Sequence, residues 1–578
     1  MTPEAPEAQS SEHVIVCGLG HVGYRAVRLL MRLGRRGVVI TRELNEDWRR
    51  AIEPQFRVIV GDAQDDRLLD QAGVTGAKAV IVVTDDDLAN LSIALDARRM
   101  NPRAALIVRQ FDQELAVHLE QSAEIDRALS ASALAAPPFV AAALGTTVRC
   151  SFAAGTAICH VGEEGIDAGS PREGRSLGEW SASTGQAALA VRRGERVIVP
   201  CAPDTPILPG DHIIALRLTD DRSPPDAAAR RSARHGPGIS PFRRFWMGCR
   251  QWWREVPRAM RVAMLALAVV VLVSVGVFRA ALGLPLVDAL YFVVTTITTV
   301  GYGDIHLMNA PAALKLYGIF VMLCGAAILA VIFSIATDLI LRTRLRDVTA
   351  HGAEHYRDHV IVAGLGNIGF RLVRDLVQAG QSVVAIEHRA DAPLLQAARE
   401  LVPVVLGNAK TLETLRKAGA AGAKAVVAAT DDDLANLSTA LAAKRIQPSC
   451  RVVLRVFNSE LAEKMQQGLA MDAVLSVSAA AAPTFVAAAL CPHALHGFLL
   501  GDWLLAVFHQ TVRDDCPEAG MTAPNQSLLF VKRAGAARFE TAAGGGVPRP
   551  GDETLGVRWY PLAGAGDVTG NHVRDTTR

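Results

Sequence analysis

The feature that most constrains this chain is an internal repeat, in which residues 13–145 align without a gap on residues 359–491. The offset is a constant 346, and about 60 of the 133 aligned positions are identical, far more than unrelated segments share. The stretch TDDDLANLS, for example, occurs at 84–92 and again at 430–438. The chain therefore contains a duplicated domain, copy 1 (13–145) and copy 2 (359–491), with other material inserted between them.

Each copy alternates short apolar segments with stretches of helical spacing. In copy 1 the stretch 24–33 predicts a helix after the first strand. The segments that predict strands are 13–17, 37–40, 57–60, 79–83 and 106–109. Strands that alternate with helices of about ten residues form a parallel, doubly wound sheet. We therefore expect two Rossmann-like α/β domains.

A further segment of about 70 residues follows each copy, at 146–220 and at 492–562. Both contain Pro-Gly-Asp before an apolar strand, at Pro209–Asp211 and Pro550–Asp552. The segments otherwise differ, so the second has diverged. We expect a small α+β C-terminal subdomain after each copy.

The insert has the composition of a membrane domain. Two apolar runs stand out at 262–278 and 316–336, and the second alone is long enough to cross about 30 Å of hydrocarbon. The net charge of the whole chain is only +2, which excludes the strongly basic field of a nucleic-acid-binding protein. We expect an all-α, two-span domain at 259–341, inserted in a lipid bilayer.

Basic residues around the two runs predict the orientation of the chain. Residues 221–258 form a polar, Pro- and Arg-rich linker that ends in a Trp- and Arg-rich interfacial helix. Six arginines precede the first run and three follow the second, while only Arg279 and Lys315 lie between. Both copies and both termini are therefore expected in the cytoplasm of a bacterium, with the spans in its inner membrane. The polar, acidic composition of the tail at 1–12 is not the pattern expected of a signal peptide. Nine cysteines without a C-x-x-C pair fit a reducing compartment.

The loop between the runs carries the most specific motif, TTVGYGD at 298–304. The preceding stretch 288–298 has helical spacing but is too short to cross, so it predicts a re-entrant helix beside a water-filled path. Four such loops can replace the hydration shell of potassium with oxygens of Thr299, Val300, Gly301 and Tyr302. The predicted filter residues are Thr298, Thr299, Val300, Gly301, Tyr302, Gly303 and Asp304.

On these residues the segment 259–341 resembles the two-transmembrane potassium channels. The resemblance implies a homotetramer whose second span lines the pore. Gly325 lies near the hinge glycine of that family, although it can equally serve close helix packing. Thr295 stands where the family often has an acidic residue behind the filter.

Each copy also carries a G-x-G-x-x-G motif between its first strand and first helix, the setting in which such loops bind a pyrophosphate. The glycines are Gly18, Gly20 and Gly23 in copy 1, and Gly364, Gly366 and Gly369 in copy 2. Copy 2 then places Glu387 where a carboxylate can bind ribose hydroxyls, whereas copy 1 has Thr41 and Arg42. Three interpretations remain open: the copies are specific for different nucleotides, one copy binds no nucleotide, or Glu43 supplies the ribose-binding carboxylate of copy 1.

The repeat resembles the RCK (Trk-regulatory N-terminal) domain over 13–218 and 359–557. The resemblance implies further residues around a nucleotide, with the arginines facing phosphate unless they only form surface ion pairs: Asp62, Thr84, Asp85 and Arg109 in copy 1, and Asn408, Thr430, Asp431 and Arg455 in copy 2. It also implies that the helix around APPFVAAAL (136–144) crosses over to pair two such domains. The triplets Asp85–Asp87 and Asp431–Asp433 are expected to cap helices rather than bind a divalent cation, for which Glu163 and Glu164 are a further alternative.

Taken together, the sequence predicts a potassium channel, not an enzyme, gated by NAD(H) or another adenine nucleotide on RCK domains that flank the pore. The alternatives are gating by a divalent cation and a regulatory subunit of a potassium transporter. A membrane-tethered oxidoreductase is disfavoured because neither copy has a substrate domain or a catalytic constellation. The expected boundaries are 1–12 (tail), 13–145, 146–220, 221–258 (linker), 259–341 (pore), 342–358 (linker), 359–491, 492–562 and 563–578 (tail), with the filter at 299–303.

Overall fold

A computed structural model describes most of the chain. The described residues are 13–111, 113–121, 124–155, 157–220, 258–346, 353–457, 462, 464–465, 471–491, 493–512, 525–542 and 547–563. The N-terminal tail, nearly all of the linker at 221–258, residues 347–352 of the second linker and the tail from 564 lie outside them. The chain divides into two units, one formed by both copies with their C-terminal segments and one formed by the membrane insert.

Copy 1 is a six-stranded parallel sheet with helices on both faces, in the strand order β3-β2-β1-β4-β5-β6. Its elements are β1 Val14–Cys17, α1 His21–Arg32, β2 Gly37–Thr41, α2 Glu46–Ile52, β3 Phe56–Val60, α3 Asp66–Gln71, β4 Ala79–Val82, α4 Asp87–Met100, β5 Ala105–Arg109, α5 Gln113–Gln121, β6 Arg127–Leu129 and α6 Ala131–Leu144. The apolar runs form central strands because both faces are covered by helices. The five predicted strands are confirmed, and a sixth, β6, is added.

The C-terminal subdomain of copy 1 is a five-stranded antiparallel sheet with one helix. It comprises β7 Val148–Ala154, β8 Ala157–Gly165, α7 Leu177–Thr184, β9 Ala187–Arg193, β10 Arg196–Ile198 and β11 Asp211–Asp220. Helix α7 begins with a capping box, in which Ser176 and Glu179 satisfy each other's backbone N–H groups.

The membrane insert consists of α8 Arg258–Leu282, the short α9 Leu286–Ile297 and α10 Ala312–Arg346. Two segments are long and apolar enough to span a membrane, Val262–Leu282 and Ala312–Val331. Phe278 packs edge-on against Phe292, with ring centroids 5.0 Å apart, and so holds α9 against α8.

Copy 2 repeats the sheet of copy 1, in the order β14-β13-β12-β15-β16-β17. Its elements are β12 His359–Ala363, α11 Asn367–Gln378, β13 Val383–Glu387, α12 Leu395–Leu401, β14 Val404–Leu406, α13 Leu412–Lys417, β15 Ala423–Ala428, α14 Asp433–Ile446, β16 Arg451–Arg455, β17 Ala473–Leu475 and α15 Val477–Leu490. Its C-terminal subdomain has β18 Ala494–Leu500, β19 Trp503–Thr511, β20 Gln526–Lys532, β21 Glu540–Thr541 and β22 Glu553–Pro561. Despite their different sequences, the two C-terminal sheets have the same strand order.

The two copies exchange their last helices. Phe139 and Ala143 of α6 are buried in the core of copy 2, beside Val362 and Leu372. Phe485 of α15 is buried in the core of copy 1. The two C-terminal sheets likewise share one core, which buries Val161 of copy 1 with Val507 of copy 2. Each copy therefore completes the other, and the helices predicted to cross over do so.

Candidate functional site

Both glycine motifs form tight turns between a strand and the N-terminus of a helix. Gly364 has φ +95°, a conformation that favours glycine, and a Cβ on Gly369 would lie 1.8 Å from the carbonyl oxygen of Gly364. A Cβ on Gly366 would meet nothing within 4 Å, so this position is open. Gly18, Gly20 and Gly23 repeat this geometry in copy 1. The first and third glycines are thus required by the fold, and the second leaves room for a ligand.

A cavity of about 700 Å³ opens over the glycine loop of copy 2. Seven residues predicted for nucleotide binding in copy 2 line it: Gly364, Gly366, Glu387, Asn408, Thr430, Asp431 and Arg455. Gly369 instead lies beneath the loop. Arg109, which the sequence analysis assigned to copy 1, also lines this cavity, together with Gln110, Phe111 and Ser132 of copy 1. Gln110, Phe111 and Ser132 were not predicted as site residues, because their place in this cavity depends on how the two copies pack together.

The carboxylate of Glu387 is held in place at the end of β13. It accepts hydrogen bonds from the backbone N–H groups of Leu365 at 2.8 Å, His388 at 2.7 Å and Arg389 at 2.9 Å. The bond to Leu365 ties the carboxylate to the glycine loop. The cavity therefore presents a fixed acceptor beside a helix N-terminus, where positive backbone dipoles favour an anion.

A buried asparagine that the sequence analysis missed supports the other side of the cavity. Asn436, which has no exposed surface, accepts from the backbone N–H of Thr430 at 2.9 Å. Its amide donates to the carbonyls of Thr430 and Arg455 at 3.0 and 2.9 Å. Asn90 makes the same bonds in copy 1. The signal was present in the sequence, because this asparagine belongs to the stretch TDDDLANLS that both copies contain.

Two half-buried arginines contribute positive charge to the cavity, as do Arg389 and Lys410. Burial lowers the pKa of Arg455, and the nearby carboxylates of Asp431 and Asp433 oppose that change. Burial lowers the pKa of Arg109 in the same way, against Asp87 and Asp85. Each guanidinium donates to a backbone carbonyl, Arg109 to Thr84 at 3.1 Å and Arg455 to Ala429 at 3.4 Å. They are thus interior cations rather than members of surface ion pairs, and an anionic ligand would compensate them.

The corresponding region of copy 1 is arranged differently. Arg42 donates to the carboxylate of Asp62 at 2.7 Å, and this bond lowers the pKa of Asp62. The hydroxyl of Thr41 donates to the carbonyl of Glu43 at 2.8 Å. Two of the residues predicted for nucleotide binding in copy 1, Arg42 and Asp62, are therefore paired with each other.

An aromatic stack also lies over the glycine loop of copy 1. His21 stacks on Phe457 of copy 2, with ring centroids 4.4 Å apart, and contacts Trp48 edge-on at 5.4 Å. Arg25 donates to the carbonyl of Phe457 at 2.8 Å and holds that residue in place. In copy 2 the residues at the equivalent positions, Asn367 and Phe111, both line the cavity. The side chains of His21 and Phe457 are thus in contact, whereas the equivalent Asn367 and Phe111 line an open cavity.

The aspartate triplets act as helix caps. Asp86 accepts from the backbone N–H groups of Leu88 and Ala89, and Asp432 does the same for α14. Glu163 is paired with Arg149 and Arg192, and Glu164 with Arg172. Within the described residues, no group of three or more His, Cys, Asp or Glu side chains is placed to hold a metal ion.

The filter segment follows α9 with alternating backbone handedness. Thr299, Gly301 and Gly303 have φ of +64°, +51° and +81°, and Val300 and Tyr302 lie between them. The N–H groups of Val300 and Gly301 donate to the carbonyl of Thr295 at 3.0 and 3.1 Å. Alternation of this kind turns successive carbonyls toward the same side of the segment. In the single chain Val300 and Tyr302 are exposed.

Two further pore residues have defined neighbours. The ring of Tyr302 lies parallel to that of Tyr291, with ring centroids 6.4 Å apart. A Cβ on Gly325 would lie 2.9 Å from Ile297, so this glycine lets α10 approach the end of α9. Helix α10 is continuous through Gly325, and a hinge at that position stays a prediction.

Comparison with known families agrees with this architecture. The TrkA-N domain family matches residues 14–131 and 360–477, and the ion channel family Ion_trans_2 matches residues 261–342. The voltage-gated potassium channel Kch of Escherichia coli is 28% identical over 186 residues, which cover 31% of this chain and 44% of Kch. Probable potassium channel protein 2 of Methanocaldococcus jannaschii is 27% identical over 194 residues, which cover 32% of this chain and 55% of that protein.

Solved structures show the same fold. The GsuK channel aligns over 96% of this chain and 78% of its own, with a TM-score of 0.50 and 15% sequence identity. A structure of the GsuK channel bound to NAD aligns with a TM-score of 0.49, too low to support an argument about a ligand. The chain spans about half or less of the length of the curated relatives named above. The three matched segments show that this chain contains an Ion_trans_2 ion channel domain, with two segments long and apolar enough to span a membrane, and a TrkA-N domain on each side of it.

Proposed function

We propose that this protein is a potassium-selective channel whose pore is gated by an adenine nucleotide bound in the cavity of copy 2. Potassium selectivity is inferred from the segment 298–304. Its alternating backbone can present a column of carbonyl oxygens, the ligand set that replaces the hydration shell of K⁺. The hydroxyl of Thr299 adds a further oxygen at its base.

One chain supplies only one such segment, so the pore requires several chains around a common axis. We infer a homotetramer in a bacterial inner membrane, with both copies in the cytoplasm. The exposure of Val300 and Tyr302 in the single chain supports this assembly, since apolar filter side chains need neighbours to cover them. Four chains would bring eight RCK domains together, enough for a complete cytoplasmic ring.

The cavity of copy 2 supports the binding of an adenine nucleotide. The N-terminus of α11 and the open position at Gly366 suit a pyrophosphate, and Glu387 suits the hydroxyls of a ribose. Glu387 would repel a 2′-phosphate, which favours NAD(H) or ADP over NADP(H). Arg109 and Arg455 supply positive charge at the opposite wall.

Gating follows if the nucleotide binds the open and closed rings with different affinity. Copy 2 is joined to the pore through α10 and the segment at 342–358, so a change in the shape of the ring would pull on the inner helix. Copy 1 is joined through the linker at 221–258. The direction of the effect depends on which ring the ligand prefers.

Flux measurements test both halves. The full chain, purified and reconstituted in liposomes, should pass K⁺ but not Na⁺, and NAD(H) or ADP should change the K⁺ flux. Equal K⁺ and Na⁺ flux would contradict the filter assignment. Selective flux that no nucleotide alters would contradict nucleotide gating alone.

A matched pair of variants locates the nucleotide. Gly366→Ala adds a methyl group into open space beside the proposed pyrophosphate, so the fold should persist and the nucleotide response should be lost. Gly20→Ala adds the same group at the equivalent open position of copy 1, and the response should be retained. Loss of the response in Gly20→Ala alone would move the site to copy 1.

A further inference from the structure

The cavity of copy 2 is lined by residues of both copies, so residues of copy 1 can contribute to ligand selectivity. Copy 1 contributes Arg109 at the end of β5, Gln110 and Phe111 directly after it, and Ser132 in α6. These residues reach copy 2 because the two copies exchange their last helices and pack the ends of β5 and β16 against each other's loops. A nucleotide in this cavity, as proposed above, would contact both copies at once.

Gln110 is the unusual member of this wall. It has no exposed surface, and its amide nitrogen donates to the carbonyl of Asp87 at 3.1 Å. Its Oε1 atom is buried and has no hydrogen-bond partner among the described residues. A buried acceptor without a partner is unfavourable, so its presence beside a cavity requires an explanation.

The repeat provides a direct comparison at this position. Gln110 aligns with Val456 of copy 2, which is also fully buried but apolar. The strand end therefore accepts valine, and the fold alone does not demand an amide. Val456 lies on the side where His21 stacks on Phe457, and Gln110 lies on the side where the cavity is open. The polar side chain thus occurs on the side that has room for a ligand.

We propose that Gln110 of copy 1 is a specificity-determining residue for the nucleotide held by copy 2. Oε1 is covered in this structure, so the side chain must turn toward the cavity to accept a hydrogen bond from an N–H or O–H donor of that ligand, such as an amino group of the base, a terminal carboxamide or a ribose hydroxyl. The ligand supplies the missing partner and connects the two copies. Only one nucleotide binds per chain, because copy 1 has its aromatic stack in the equivalent place.

Calorimetric titration of the full-length protein in detergent, with NAD⁺ and ADP as separate probes, tests this proposal. Gln110→Val installs the residue that copy 2 already has, and should weaken binding of the probe that donates to it by about threefold to tenfold. The reciprocal variant Val456→Gln should bind as the wild type does. The wild type should bind one nucleotide per chain.

Thermal unfolding without nucleotide separates a binding role from a structural one. Gln110→Val should unfold at the wild-type temperature or higher, since it removes a buried acceptor without a partner, while the stabilisation by added nucleotide should shrink. If Gln110→Val unfolds at a lower temperature than the wild type, Gln110→Met is measured as well, because it keeps the length of the side chain without the amide. A binding role predicts that Gln110→Met unfolds at the wild-type temperature and still binds the nucleotide more weakly.

The outcomes are distinguishable from failure of the proposed function. If the wild type binds neither probe, nucleotide gating fails. If the wild type binds a probe and both Gln110 variants bind it as tightly as the wild type does, the role of Gln110 is overturned. If the wild type binds two nucleotides per chain, the single composite site is overturned.

Discussion

Copy 1 and copy 2 share a skeleton but differ at the ligand-facing positions. Both contain a first glycine with positive φ, the buried Asn90 or Asn436, and an aspartate cap on the fourth helix. The differences around the glycine loops include five aligned pairs of positions: Thr41 and Glu387, Arg42 and His388, Asp62 and Asn408, His21 and Asn367, and Gln110 and Val456. The groups that the fold requires are thus common to both, and the groups that face the cavity differ.

This comparison shows why two similar domains need not have similar functions. In copy 2 the differing residues leave about 700 Å³ of space with a fixed carboxylate and two interior cations. In copy 1 the equivalent positions satisfy one another, through the Arg42–Asp62 pair and the stack of His21 on Phe457. Copy 1 also contributes residues to the wall of the cavity of copy 2.

The exchange of α6 and α15 gives the largest expected effect. Phe139 belongs to copy 1 but is fully buried in the core of copy 2, so Phe139→Ala should destabilise copy 2 by about 3–5 kcal/mol. Hydrogen exchange of the full chain should show lost protection in β12 and β15, with a smaller change in β1 and β4.

The matched variant is Phe485→Ala, which removes the equivalent ring from the core of copy 1. It should deprotect β1 and β4 instead. If each variant affected only the copy that contains it in sequence, the exchange of helices would be contradicted.

A second difference between the copies lies in their C-terminal sheets. Burial lowers the pKa of His496 in β18 to about 4, and the charge of Arg127 acts in the same direction. The equivalent residue of β7 is Cys150, whose pKa burial raises. Only copy 2 therefore has a buried group at this position that titrates in mildly acidic solution.

Acid should for this reason destabilise the wild type more than a variant without the histidine. His496 folds in its neutral form, so its contribution is fully present above pH 6.5 and is lost as the pH falls from 6.5 towards 4. The loss amounts to about 3 kcal/mol. Thermal unfolding across this range should show a steeper decline for the wild type than for His496→Gln. Parallel declines would contradict the assignment of a buried neutral histidine.

Much of the fold could be predicted because its signals are local. The central strands are short apolar runs, and the glycine motifs stand directly between a strand and a helix. The second C-terminal subdomain was harder to predict, since β18 to β22 keep the strand order of the first while the sequence differs. Strand order there depends on packing against the other sheet, which no local pattern reveals.

The candidate site was predictable only where it is built from one copy. Gly364, Glu387 and Thr430, which line the cavity, were predicted because each ends or follows a strand of copy 2. Arg109 was predicted for copy 1 but lines the cavity of copy 2, since its place depends on how the copies pair. The partner of Arg42 was missed for a similar reason, because Asp62 follows a different strand and meets it only in the folded sheet.

The smallest expected effect compares the residues that end the second strand of each copy. Glu387→Gln keeps the shape of the side chain but removes the charge that would strengthen a hydrogen bond to ribose. It should therefore weaken binding of NAD⁺ about tenfold and reduce the preference over NADP⁺, measured by titration of the full chain. Arg42→Ala removes an exposed side chain already paired with Asp62, so it should change neither affinity nor preference. If Arg42→Ala instead weakened binding of NADP⁺ and Glu387→Gln had no effect, copy 1 would be the binding copy, and the contrast drawn between the two would be reversed.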